Sequence, residues 1–398
     1  MDALERRILR VTCFGHFMSH FNMLVFPALL LPLSEHLSMD MADALGISFW
    51  MYLLFGITAL PWGVAVDRWG AKPFLLLFYS GAGLSSLAAA LWMDSPAALS
   101  LALAALGLFS GIYHPTGLGW ISRGIERVGH GMASHGMFGS LGVAVAPLLT
   151  GVVNWLWGPR ATYLVLGGLN LLGVGLMLAA PRTESPRPRA LRTREGNGML
   201  GAFLILLVAM TLGGIAYRGA TVILPAYFEL NLQRVFRWMS SLAGGKLSQN
   251  VVANTATSFI YLGGILGQYT GGRMAERFEL KRCYLVFNAV VIPIALLMSV
   301  TVDLPLVALG TLYFFFLLGM QPIENTLVAR FTPRRFHHAA YGTKFTLTFG
   351  VGALAVKMIE TVKVHWGLGV VFPSLGMVSL ALAGTIVLLI YKTPRLRS

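Results

Sequence analysis

Charge and hydrogen-bonding capacity recur in this sequence inside long apolar runs. His20, Asn22, Tyr113, His114, His135, Tyr217, Arg218, Gln321, Glu324, Asn325 and Lys344 all fall in such runs. An ionisable group in hydrocarbon is costly, so each is a functional hypothesis by default. Arg218 stays protonated at any relevant pH. In apolar surroundings it needs either an internal carboxylate or an anionic ligand. Glu324, the one acid well inside its own run, is the expected internal partner. Imidazoles titrate near neutral pH, so His20 and His114 can exchange protons.

Two roles follow for this set. His20, Asn22, Tyr113, His114, Tyr217, Arg218, Gln321 and Asn325 are candidates for binding a small solute. Glu324, His114, His135 and Lys344 are candidates for carrying a coupled proton. The plainer alternatives are a fixed Arg218–Glu324 pair, histidines held as hydrogen-bonded core, and a Lys344 that snorkels to the surface. Lys357 and Glu360 are spaced to pair with each other along one helix.

Enzyme chemistry is poorly represented. There is no Gly-x-x-x-x-Gly-Lys-Ser/Thr loop to cradle phosphate, so ATP is not the expected drive. Two cysteines, Cys13 and Cys283, exclude a cysteine-rich metal site. His337-His338 lies beside Arg334 and Arg335 without further obvious ligands. No catalytic residue, cofactor or metal site is expected.

The elements that must position these residues are legible in the composition. The chain of 398 residues is 56% hydrophobic and 12% charged, with a mean hydropathy of +0.71. Soluble domains carry about 25% charged residues. This chain cannot cover itself with polar surface, so a lipid bilayer is its solvent. A spanning helix takes roughly 20 apolar residues. Twelve spans are predicted, at 11–33, 45–66, 73–93, 97–122, 131–155, 161–180, 200–229, 250–272, 283–301, 305–330, 340–362 and 369–391. The fold class is an all-α polytopic membrane protein. The basic start, Met1 to Arg10, leads into an apolar run without a small-residue cleavage site and reads as a retained first helix.

The net charge of +14 sits in short loops, so it is a topology signal and not a nucleic-acid footprint. Arginine and lysine crowd alternate loops, while Ser34 to Asp43, Asp94-Ser95-Pro96 and Asp303 mark the opposite side. The positive-inside bias then places both termini in the cytoplasm, with the chain in the cell inner membrane. Residues 181–199, rich in Pro and Arg, read as a cytoplasmic linker between a bundle at 1–180 and a bundle at 200–398. The stretch 230–249 reads as a short amphipathic surface helix.

The two halves repeat. Gly63-Val-Ala-Val-Asp67-Arg68 followed by Lys72 matches Gly272-Arg-Met-Ala-Glu276-Arg277 followed by Lys281. His114-Pro115 matches Gln321-Pro322, His135-Gly136 matches Tyr341-Gly342, and Pro27 matches Pro225. This last pair sets His20 opposite Arg218. Internal repeats of this kind are typical of transporters, whose sites lie where the repeats meet.

The segment from Gly63 to Lys72 resembles the cytoplasmic loop signature of the major facilitator superfamily. That resemblance covers the whole chain and implies two six-helix bundles, with solute-lining helices 1, 4, 7 and 10. It also implies a gating role for Gly63, Asp67, Arg68, Lys72, Gly272, Glu276 and Arg277. On the fifth helix, Gly142 to Gly151 with Pro147 is similar to the superfamily's antiporter motif, with Ala146 and Thr150 replacing two glycines. Gly142 and Pro147 join the gating set. Tyr113-His114-Pro115 through Arg123, then Gly131 to His135, resembles the fosmidomycin-resistance-like branch.

The expected activity is secondary transport by alternating access, with protons as coupling ion and a small organic anion or zwitterion as solute. Export is the first reading and import of a small carboxylate the alternative. A non-transporting receptor or assembly partner is a third reading, which the lack of a sizeable soluble domain disfavours. A monomer is expected.

Overall fold

A computed structural model describes residues 1–179, 200–332 and 342–393. Among these the regular structure is helical. The chain divides into two compact units, Met1–Thr193 and Arg194–Ser398. The expected linker at 181–199 and the Arg334, Arg335, His337, His338 and Tyr341 positions lie outside the described residues.

The first unit opens with α1 (Ala3–Ala28), whose Asp2 and Glu5 form a reciprocal N-terminal cap. Then come α2 (Leu30–His36), α3 (Met41–Gly46), α4 (Phe49–Ile57), α5 (Ala59–Trp69), α6 (Ala71–Leu91), α7 (Pro96–Ser110), α8 (Tyr113–Gly124) and α9 (Val128–Leu178). The second unit comprises α10 (Leu200–Asn231), α11 (Gln233–Leu242), α12 (Gln249–Arg277), α13 (Leu280–Met298), α14 (Asp303–Phe331), α15 (Gly342–Trp366) and α16 (Val371–Lys392).

Eight helices among the described residues are long and apolar enough to cross a bilayer. Two bent pairs add two more: α1 with α2, bent by 51°, and Met41–Ile57 with α5, bent by 43°. The apolar stretch of α9 runs 49 residues, a length of about 74 Å at the α-helical rise. That is roughly twice what a bilayer needs. Gly158 divides it, with φ 83° and ψ 173°, a conformation that L side chains rarely adopt. The spans expected at 131–155 and 161–180 are therefore the two arms of one kinked helix. Counting the two arms of α9 separately, and α12, which is long enough but richer in Asn, Gln and Thr, the described residues hold twelve segments of spanning length.

Packing inside each unit relies on small residues. In the absence of a hydrophobic drive between helices in lipid, close backbone approach is a main source of adhesion. The apolar core around α14 in the second unit includes Leu206 and Met210 from α10, Tyr284 and Phe287 from α13, Ile323 and Leu327, and Leu382 and Ile386 from α16.

Surface elements follow the sequence reading in part. The amphipathic piece is α11, none of whose residues is buried. Its first turn is capped from another helix: Asp303 Oδ1 accepts from the backbone N–H of Arg234 at 2.7 Å and of Val235 at 3.1 Å. In the first unit, Asp94, in the turn between α6 and α7, links α2 and α9. It accepts from Arg160 at 2.8 and 2.9 Å and bonds His36 Nε2 at 2.8 Å. The His36 and Arg160 hydrogen bonds hold the Asp94 carboxyl below its ordinary range. A depressed carboxyl pKa contributes stability above the unfolded-state value and loses it as pH falls through the folded-state value. Thermal unfolding of detergent-solubilised protein, followed from neutral pH to about pH 3, should show a smaller acid-induced loss for Asp94→Asn than for the unaltered chain. Identical pH dependence would show that the triad does not hold these helices.

Candidate functional site

The first unit gathers four imidazoles and a phenol. Residues at i and i+4 share a helix face, so α1 presents His16 and His20 together. Their Nε2 atoms lie 3.1 Å apart. The His16 ring stacks on His135 of α9 at 3.9 Å, and its Nδ1–H donates to the His135 carbonyl at 2.7 Å. His114, near the start of α8, meets His16 and His20 edge-on, each at 5.3 Å between ring centroids. One nitrogen from each of His16, His20 and His114 falls within 4.8 Å of the others.

Tyr113 locks this arrangement from beneath. Its hydroxyl donates to the Thr12 carbonyl. A hydroxyl has one proton to give, so it accepts from His135 Nε2–H at 2.9 Å. Tyr113 and His114 are both buried.

Asn22 has a different occupation. Its side-chain amide donates to Ser110 Oγ at 3.1 Å and accepts from Asn170 at 2.8 Å. These buried bonds tie α1 to α7 and α9.

The second unit holds a buried ion pair. Glu324 is 2% exposed and Lys344 6%. Lys344 Nζ lies 2.8 Å from Glu324 Oε1 and also donates to Asn325 Oδ1. Tyr284 OH donates to the other carboxylate oxygen at 2.6 Å. This corrects two expectations. The ion-pair partner of Glu324 is Lys344, not Arg218, and Lys344 does not snorkel. Lys344, in the first turn of α15, reaches inward to the Glu324 carboxylate and the Asn325 amide oxygen on α14. Arg218 is buried on α10 at 3% exposure, beside a buried Tyr217. Gln321 accepts from Gln268 of α12 at 3.0 Å. Lys357 and Glu360 pair at 2.7 Å, as their spacing predicts.

The repeated loop residues form matching local structures. A side chain on Gly63 would press on Pro115 at 3.3 Å, and one on Gly272 would face Pro322 at 3.9 Å. The sequence repeat had paired these same glycines and prolines. Asp67 bonds Arg123 at 2.9 Å and the Arg68 guanidinium lies 5.2 Å over the Trp69 ring. The Asp67–Arg123 pair is well exposed, so it contributes at most about 1 kcal/mol in this state. Lys72 is half-buried, while Glu276 and Arg277 are exposed at the end of α12. Gly142 backs onto the Phe17 main chain, where α1 and α9 cross, and Pro147 lies one turn further along α9.

Sequence reasoning missed His16, Tyr284, Ser110 and Asn170. His16 had a signal, four residues before His20 on the same face. Tyr284 had none, because a tyrosine in an apolar run reads as any other aromatic. The meeting of the three imidazoles of His16, His20 and His114 in space was likewise not foreseen from the sequence.

The Major Facilitator Superfamily profile matches residues 12–245. This chain therefore belongs to the Major Facilitator Superfamily, and it is a secondary transporter, not an enzyme. No curated protein sequence matches it. Among solved structures, it is similar to a D-xylose–proton symporter, with 14% identity, TM-score 0.72, and 96% of this chain and 97% of that one covered. A POT family transporter in complex with 5-aminolevulinic acid gives 15% identity and TM-score 0.73, covering 96% of each chain. A bacterial homologue of the human lysosomal transporter Spinster, inward-facing and occupied, gives 14% identity and TM-score 0.67, covering 98% and 96%. At such identities the likeness establishes the fold alone.

A buried ion pair broken on one side leaves an uncompensated charge, at a cost of about 3–5 kcal/mol. Lys344→Met should therefore destabilise the purified protein by that order. Adding Glu324→Gln to it should recover most of the loss. Denaturant-dependent fluorescence measures both, and an additive double variant would show that the two groups do not depend on each other.

Proposed function

We propose that this transporter moves a small organic anion together with a proton, by alternating access. The observation that supports the reading is the buried Glu324–Lys344 pair with Tyr284 on the far carboxylate oxygen. Protonating Glu324 removes the negative charge that answers Lys344. The ammonium is then a buried cation without a counter-charge, and a solute carboxylate can take the place of the Glu324 carboxylate. Proton binding thus favours anion binding, and by linkage the anion favours the proton to the same extent. Two species that bind together travel together. With protons driven inward, the result is uptake of the anion.

Arg218 adds a second permanent positive charge to the same unit, and supports an anion over a cation as solute. Symport of this kind favours the import reading over export. The export reading rests on Gly142 and Pro147, whose segment is similar to the antiporter motif, and on the likeness of Tyr113 to His135 to the fosmidomycin-resistance-like branch.

Reconstituted vesicles with an imposed pH gradient separate the two. With the outside acidic, a labelled carboxylate should accumulate inside. Glu324→Gln should abolish the gradient dependence while leaving counterflow exchange. Accumulation only with the inside acidic would assign antiport, and a gradient-driven Glu324→Gln would remove Glu324 from coupling. Arg218→Ala should abolish both modes; retained transport would make Arg218 structural.

A further inference from the structure

The imidazoles of the first unit are arranged for more than hydrogen bonding. We propose that His16, His20 and His114 form a binding site for a transition-metal dication of the zinc class, with its fourth position filled by an anionic ligand. Three features of the structure support this.

The first is distance. Metal–nitrogen bonds of about 2.0–2.1 Å in a tetrahedron put ligand nitrogens roughly 3.3 Å apart. His16 and His20 Nε2 are already 3.1 Å apart, and one nitrogen of His114 lies within 4.8 Å of both. Closing the set requires the His114 nitrogen to move from within 4.8 Å to about 3.3 Å of the other two.

The second is orientation. A histidine ligand almost always donates its other N–H to a carbonyl or carboxylate, which fixes the tautomer and aims the ligating nitrogen. His16 does this: Nδ1–H is held by the His135 carbonyl at 2.7 Å, so Nε2 keeps its lone pair and faces His20. His20 presents Nε2 as a ligand when its proton sits on Nδ1. The His135 ring is committed to Tyr113 through Nε2–H, so His135 positions the site without ligating.

The third is charge and donor type. Imidazole nitrogens suit zinc, copper, nickel and iron, whereas calcium and magnesium take oxygen. No acid follows Glu5 on α1, and α8 carries none. Three neutral ligands leave the dication's charge uncompensated in a half-buried place, which calls for an anion in the remaining position. Three protein ligands leave a fourth position open to an exogenous ligand, unlike a closed four-ligand structural site. Among the described residues, Tyr113 and His135 are titratable groups in ring contact with the trio. The site lies in the unit opposite to Glu324 in sequence, and does not rest on the proton-symport reading.

The test uses the full-length chain purified with a histidine-free tag and titrated with Co²⁺ at neutral pH. One equivalent should bind per chain, give the visible bands of a tetrahedral nitrogen site, and be displaced by Zn²⁺. His16→Gln, His20→Gln and His114→Gln should each weaken binding by at least about tenfold. His36→Gln and the double change His337→Gln, His338→Gln should leave it unaltered. Zinc-edge X-ray absorption of the unaltered protein should show three nitrogen scatterers at about 2.0 Å, which decides the matter even for a variant that does not fold. Lack of a Co²⁺ equivalent, affinity indifferent to all three substitutions, or a shell without three nitrogens would each overturn the proposal.

Discussion

A charge or an unbonded polar atom inside hydrocarbon has no water to turn to, so its neighbours must answer it. Each unit of this protein is organised around that constraint. In the second unit, Glu324 is answered by an ammonium, a phenol and, through Lys344, an amide oxygen. In the first unit's imidazole cluster the bonds seen among the described residues are imidazole to carbonyl, imidazole to imidazole and phenol to carbonyl. The first kind of cluster changes net charge when a proton arrives and so can be linked to an anion. The second offers imidazole lone pairs oriented by fixed hydrogen bonds, the feature on which the proposed cation site rests.

The duplication explains why two such different clusters stand on similar scaffolds. Gly63 against Pro115 and Gly272 against Pro322 are the same packing solution made twice. So is the close crossing of the first and fifth helices of each unit, where Gly142 meets the Phe17 main chain in one and Gly214 meets the Thr348 main chain in the other. Backbone geometry was kept because close approach through small residues supplies adhesion in lipid. Side chains facing inward were free to diverge, because a polar group needs only a partner within its own unit. His114 and Gln321, equivalent in the repeat, accordingly have unrelated partners.

The spans and the repeat were legible in the sequence, whereas the bends between α1 and α2 and between α4 and α5, inside the spans expected at 11–33 and 45–66, were not. Hydropathy is a property of consecutive residues, and a bilayer of fixed thickness turns it directly into helix length. The gap left between the spans ending at 155 and starting at 161 holds Gly158, where the helix kinks. The loop signature from Gly63 to Lys72 carried the family, because its residues work close together in sequence.

Partnerships were legible only where they are local. Lys357 and Glu360 were paired correctly, being three residues apart on one helix. The sequence offers Arg218 as one internal partner for Glu324, both being charged and interior, and the fold gives it Lys344. His16 passed unnoticed until the crossing of α1 with α8 and α9 brought it against His20, His114 and His135. The sequence by itself determined that this chain lives in lipid, as twelve helices in two related sets, with a few costly polar groups inside them. Tertiary structure alone decided which of those groups meet, because that depends on how each helix is rotated about its axis and where it crosses its neighbours. Neither quantity leaves a trace in residues read one after another.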